Sequence, residues 1–144
     1  MYILVVAGPR DWKNKEYVWA VLDLFVQQHP DLEKVISGDA TGVDLFTKEW
    51  AESRSHPYEV FEADWERYKS GAGPIRNKQM AQAGDVLIAF RYPHTVFTAG
   101  TKSMIDQMVM RGKVIYFSSP FDQYMRGWPT FEPYVDPQSK LYLE

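Results

Sequence analysis

The sequence predicts an α/β fold: a Rossmann-like, doubly wound parallel sheet of five strands, followed by an irregular C-terminal arm. Three observations carry this expectation. Short apolar, β-rich runs recur at 2–7, 34–36, 58–61, 85–90 and 113–117, helical patterns separate them, and the first and fourth runs are apolar at consecutive positions. A strand with one wet face alternates apolar and polar residues, whereas a strand covered on both faces of a parallel sheet is apolar throughout. Runs one and four are therefore expected at the centre. Right-handed crossovers and short connections then give the strand order 3-2-1-4-5.

The helices follow in turn. Val18, Val21, Leu22 and Phe25 fall at i, i+3, i+4 and i+7 and predict a helix over 14–28, with Asn14 as its cap and His29-Pro30 as its stop. Val43, Phe46 and Trp50 make the stripe of a second helix over 42–54. Pro74, placed at the first helical position, opens a third that runs to about residue 83 and ends at Gly84. The fourth, over 99–111, carries Met104, Ile105 and Met108 and is closed by Gly112. Strand and helix alternate four times before a last strand, which is the order of a doubly wound sheet.

Residues 118–144 differ from this domain of residues 1–117. They hold four of the nine prolines and six aromatics, Phe121, Tyr124, Trp128, Phe131, Tyr134 and Tyr142, with no helical or strand period. So many large apolar groups predict an extended arm packed on the domain or on a second subunit. Together with the methionine-rich fourth helix, the arm leads to the expectation of a homodimer or higher homo-oligomer.

Composition narrows the function. The chain has 144 residues, 45% of them apolar and 15% aromatic, enough for a core and too apolar for a disordered chain. Its 16 Lys and Arg against 19 Asp and Glu give a net charge of −3, which disfavours a long nucleic acid as partner and leaves room for small anions. With no cysteine there is no disulfide, no Cys-ligated zinc and no thiol nucleophile. The three histidines, His29, His56 and His94, each adjoin a proline and lack paired ligand spacing, so no metal and no cofactor is expected. The run 2–7 is too short for a signal peptide, and no apolar stretch approaches the ~20 residues of a membrane span; a cytoplasmic location without membrane contact is the expectation.

Ligands of open α/β sheets bind beyond the carboxyl ends of the strands. The turns expected there are rich in glycine and small polar residues. They read Ala7-Gly8-Pro9-Arg10-Asp11, Ser37-Gly38-Asp39-Ala40-Thr41-Gly42-Val43-Asp44, Gly71-Ala72-Gly73-Pro74-Ile75-Arg76-Asn77 and Thr98-Ala99-Gly100-Thr101. Glycine allows close backbone approach, and the first amides of a helix have no partner within it, so such turns suit a phosphate. A guanidinium beside them, as at Arg10 and Arg76, binds phosphate bidentately. The candidate ligand-binding residues are Gly8, Arg10, Ser37, Gly38, Asp39, Gly42, Asp44, Arg76, Asn77, Gly100 and Thr101. Neither a full G-x-G-x-x-G nor a Walker motif is present, which argues against dinucleotide and P-loop sites. Trp12 and Trp65 are open to two roles, stacking on a base or packing.

Taken together, Gly8-x-Arg10, Ser37-Gly38-x-Ala40-x-Gly42-x-Asp44 with Trp50-Ala51, Ala63-Asp64-Trp65, Ala72-Gly73-Pro74-x-Arg76-Asn77-x-x-Met80 and Gly100-Thr101 resemble the YspA-like branch of the SLOG superfamily. That superfamily groups Rossmann-like domains similar to DNA-processing protein A and to the cytokinin-activating phosphoribohydrolases formerly called lysine decarboxylases. The resemblance spans residues 1–117 and implies a pocket for a nucleotide or nucleotide-derived molecule, with phosphate or ribose near Gly38 and Gly100. In the phosphoribohydrolases an Arg and a Glu work on the N-glycosidic bond. Arg76 and Met80 match that pattern, but Ser103 stands where the Glu would be.

A serine cannot by itself steer or activate water as a carboxylate does. Asp39, Asp44 and Asp64 lie near enough in the expected topology to substitute, although Asp44 at a helix start is equally accounted for by charge complementarity. Three functions remain in view. One is a nucleotide-ligand-binding sensor, carrier or sequestering module. A second is an N-glycosidic bond hydrolase using Asp44 or Asp64 with Arg76, and a third is a DNA-binding module, against which the charge of −3 counts.

Overall fold

A computed structural model describes residues 1–122 and 124–134. In it, β1 (Tyr2–Ala7) pairs in parallel with β2 (Leu32–Gly38) on one side and with β4 (Val86–Phe90) on the other. Strand β3 (Tyr58–Phe61) continues beyond β2, and β5 (Val114–Ser118) beyond β4, both parallel. The order β3-β2-β1-β4-β5 is the one the crossover rules require. One element is added: β6 (Glu132–Pro133) in the arm pairs antiparallel with β5, so the sheet has six strands rather than five. Two residues display no period, and a proline, which cannot donate to a ladder, is tolerated at a sheet edge.

Both faces of the sheet are covered, which explains the unbroken apolar runs. Leu4 and Val6 of β1 with Ile88 and Phe90 of β4 face one cluster, shared with α1 (Lys15–Gln28) and α2 (Val43–Arg54) through Val18, Leu22, Phe25 and Trp50. The alternate residues Val5, Ala7, Leu87 and Ala89 face the other cluster, built with α4 (Ala72–Ala83) and α5 (Ala99–Met110) through Met80, Met104, Ile105 and Met108. A four-residue helix, α3 (Trp65–Tyr68), precedes α4 and was not foreseen, since one turn is too short to show a stripe. Helix α4 also begins two residues before Pro74. Proline is harmless there, because the first amides of a helix have no intrahelical acceptor.

The cap at Asn14 is formed: its side-chain oxygen accepts from Tyr17 N–H at 3.1 Å. The first part of the arm returns to the domain. Phe131 stands edge-on to Phe25 and Tyr116, 5.0 and 5.3 Å between ring centres, and Ser118 Oγ donates to the Thr130 carbonyl at 2.6 Å. Phe121, Tyr124 and Trp128 remain exposed, and Tyr142 lies outside the described residues. Among the described residues no helix is long and apolar enough to cross a membrane.

One side chain closes the end of α4. Lys113 Nζ donates to the carbonyls of Ala81, Gln82 and Gly84, the first at 2.6 Å, placing a cation on the negative end of the helix. Lys113→Met is expected to reduce stability by about 1–3 kcal/mol, because partly buried carbonyls lose charge-assisted partners. Urea unfolding of the two proteins measures this; an unchanged midpoint would show that water replaces the ammonium at no cost.

Candidate functional site

Three of the glycine-containing turns meet at one edge of the sheet: the Gly38 turn after β2, the start of α4 and the start of α5. Gly38, the last residue of β2, is the pivot. A Cβ built there would lie 2.5 Å from Arg76 Nη1 and 2.8 Å from Asp44 Oδ2, so these two groups hold their present positions at the strand end because the residue there is glycine. Arg76 projects from α4, where Nη1 pairs with Asp39 Oδ1 at 2.9 Å and Nε donates to Asn77 Oδ1 at 3.0 Å. Asn77 is buried and in turn donates to the Gly100 carbonyl at 3.3 Å and to Ser103 Oγ at 3.2 Å. A continuous polar chain thus runs from Asp39 through Arg76 and Asn77 to the first turn of α5.

Asp44 occupies the first turn of α2 and is only 8% exposed. Its Oδ2 accepts from Ala40 N–H at 3.2 Å. Burial pushes its carboxyl up to about 6, against the opposing pull of the Ala40 N–H and the Arg76 guanidinium, and Asp39 adds to the push. A carboxyl whose affinity for a proton is raised by burial, inside a crevice and next to a guanidinium, is a recognised sign of a functional group.

The helix starts are not equivalent. At α2, the Val43 N–H already donates to the Pro9 carbonyl at 3.2 Å, so this end is plugged by the first turn. At α5, no side chain caps the opening amides, and a Cβ added at Gly100 would meet nothing within 4 Å. Thr101 is buried there and accepts from Thr98 Oγ1 at 3.0 Å. Of these two starts, that of α5 is the one open to an anion.

The structure brings together Gly38, Asp39, Asp44, Arg76, Asn77, Gly100 and Ser103, with Ser37 buried just before them. Gly8 and Gly42 serve the fold instead. A Cβ at Gly8 would come within 2.7 Å of Val43, and Gly42, at φ +67°, lies against the Pro9 and Arg10 backbone. Arg10 itself is exposed, with its carbonyl accepting from Thr41 Oγ1 at 2.7 Å. Trp12 is buried and stacked on Tyr92 at 5.1 Å, which assigns it to packing.

Asp64 is not among the crevice carboxylates. It caps α3, accepting from Arg67 N–H at 3.1 Å, and lines an adjoining cleft of about 240 Å³ that shares Arg76 as a wall. Glu62, Tyr68 and Gln79, which also line this cleft, belong to none of the glycine turns; the Ala63-Asp64-Trp65 run beside them was the one signal in that region. Among the described residues no group of three His, Asp or Glu side chains is arranged to hold a metal ion.

The family described as YspA, cpYpsA-related SLOG (YAcAr) matches residues 2–68, a span that contains β1, the Gly38 turn and α2. The chain belongs to this SLOG family. The Gene 61 protein of Mycobacterium phage D29 is 34% identical over 101 residues, covering 66% of this chain and 81% of that protein. The X-ray structure of DNA processing protein A from Streptococcus pneumoniae is similar with a TM-score of 0.63 and 13% identity, over 89% of this chain and 53% of that one. This second likeness is one of fold, and the SLOG chain spans about half the length of that protein. Membership associates the chain with nucleotide-related or DNA-processing roles.

Proposed function

We propose that this SLOG chain binds a nucleotide or nucleotide-derived ligand in the crevice between the Gly38 turn, Arg76 and the start of α5, and acts as a sensor, carrier or sequestering module. The observation that carries the reading is the convergence of Arg76 and Asp44 over Gly38, where a single methyl group would displace them. Two carboxylates face one guanidinium, so a phosphate set squarely on Arg76 would compete with Asp39. The reading therefore assigns ribose hydroxyls to Asp39 and Asp44, which accept hydrogen bonds, and the phosphate to the space between Arg76 and the uncapped amides of α5.

Arg76→Ala is expected to weaken binding of AMP by about 1.5–3 kcal/mol through loss of a charge-assisted bond, and to leave adenosine nearly unaffected. Titration calorimetry with both ligands measures this. Equal losses would mean that Arg76 acts through packing.

A second reading is favoured by one observation, the raised proton affinity of buried Asp44. A carboxyl titrating near 6 is suited to acid or base work on an N-glycosidic bond. Ser103 is hydrogen-bonded to Asn77 rather than to any base, which leaves it without activation. Chromatography of AMP after incubation separates the two readings: intact ligand supports binding alone, whereas repeated turnovers of base release, abolished by Asp44→Asn, would establish the hydrolase. A DNA-processing role, after which the structural relative is named, is disfavoured because the chain carries a net charge of −3.

A further inference from the structure

The cleft beside the crevice has no assigned role. It is lined by Glu62, Arg67, Tyr68, Ile75, Arg76 and Gln79, among others, and its volume of about 240 Å³ lies below the range of roughly 300–1,000 Å³ usual for whole drug-sized ligands. It is sized for one ring system rather than a complete dinucleotide. Its walls are unusual for a surface. Tyr68 is 39% exposed and Ile75 36%, and the Arg67 guanidinium lies over the Tyr68 ring at 5.0 Å. A planar ring, a second cation–π partner and an aliphatic side chain together form a stacking surface for a flat heteroaromatic group.

The polar groups of the cleft are complementary to a base edge. Among the described residues neither the Glu62 carboxylate nor the Gln79 carboxamide makes a hydrogen bond within the protein. A carboxylate only accepts, so it selects a donor such as an exocyclic amino group, and a carboxamide both donates and accepts. Arg76 links the two spaces. Its guanidinium is in the crevice with Asp39, while the same residue walls the cleft. A ligand whose sugar and phosphate occupy the crevice can therefore lay its base in the cleft.

We infer that the cleft between α3 and α4 is the base subsite of the ligand, stacking a nucleobase on Tyr68 and Ile75 and selecting an exocyclic amino group through Glu62. This rests on the nucleotide reading of the crevice.

The test measures binding of AMP, UMP and ribose 5-phosphate to the full chain and to Tyr68→Ala, Tyr68→Phe and Glu62→Gln variants. AMP is expected to bind more tightly than ribose 5-phosphate. Tyr68→Ala should raise the Kd for AMP about tenfold and leave that for ribose 5-phosphate within twofold, and Tyr68→Phe, which keeps the ring, should retain AMP affinity. Glu62→Gln should narrow the gap between AMP and UMP. Ribose 5-phosphate binding as tightly as AMP, or AMP affinity unmoved by Tyr68→Ala, would overturn the base subsite while leaving the crevice intact. Equal losses for both ligands would overturn it too, by assigning Tyr68 to the crevice or the fold. Binding of none of the three probes would remove the nucleotide reading itself, and the subsite with it.

Discussion

Gly42→Ala is expected to lower the free energy of unfolding by about 3–5 kcal/mol, a large part of the roughly 5–15 kcal/mol of an ordinary domain. Gly42 precedes α2 with φ +67° and ψ −127°, a combination that side chains strongly disfavour. A Cβ there would also lie 2.4 Å from the Pro9 carbonyl oxygen and 2.6 Å from the Arg10 carbonyl carbon. These are backbone atoms that cannot rotate aside. They are held by Val43 N–H on Pro9 and Thr41 Oγ1 on Arg10, so relieving the clash means parting the first two turns. Urea denaturation followed by circular dichroism measures the loss. A change under about 1 kcal/mol would show that the turns are not locked together.

Asp44→Asn is expected to stabilise the protein at neutral pH. An Asp in the unfolded chain titrates near 3.8, and in the folded chain Asp44 is raised to about 6, chiefly by burial. Between these values the folded state binds more protons than the unfolded one, so stability falls as pH rises through that window. A gap of about two units at 1.36 kcal/mol each amounts to roughly 3 kcal/mol lost by pH 7. The variant lacks this slope. The two proteins should be alike near pH 4 and diverge towards pH 7, with the variant the more stable. Taking the difference between them cancels the other acids, apart from Asp39, which faces the same Arg76. A difference independent of pH would show that Asp44 titrates as an ordinary surface acid.

The parts of the fold legible in the sequence are those in which one residue type has one physical use. The consecutive apolar residues of β1 and β4 revealed two covered faces, Asn14 and Gly112 marked helix ends because a side-chain cap and a positive φ favour them, and Gly84 did so because Val5 of β1 approaches too closely for a side chain. Of the candidate site, Arg76 and Asn77 stand out in the sequence, and the structure joins them in the polar chain that runs from Asp39 to α5, beside Gly38. Gly8 and Gly42 are packed against α2 and the first turn, and a glycine that admits a ligand and one that admits a neighbouring helix look alike in sequence. Asp64 and Trp12 are ambiguous in the same way, since a cap and a core indole carry no mark that separates them from a catalytic acid and a stacking platform, and of the two roles open to Trp12 the structure shows packing. The cleft lay outside any pattern, because α3 spans a single turn and its lining comes from residues separated by α4's own periodicity.

The central claim is that the ligand lies where the Gly38 turn, α4 and the start of α5 meet. Titrating AMP into isotope-labelled protein while following backbone amide resonances tests it most directly. The account predicts saturable shifts at residues 37–44, 76–77 and 98–103, extending to the cleft residues 62–68 and 75–79 where the base lies, at a micromolar Kd, about −8 kcal/mol. Saturable binding whose shifts fall instead on the opposite ends of the strands or on the arm, or the absence of any shift at millimolar AMP, would contradict it.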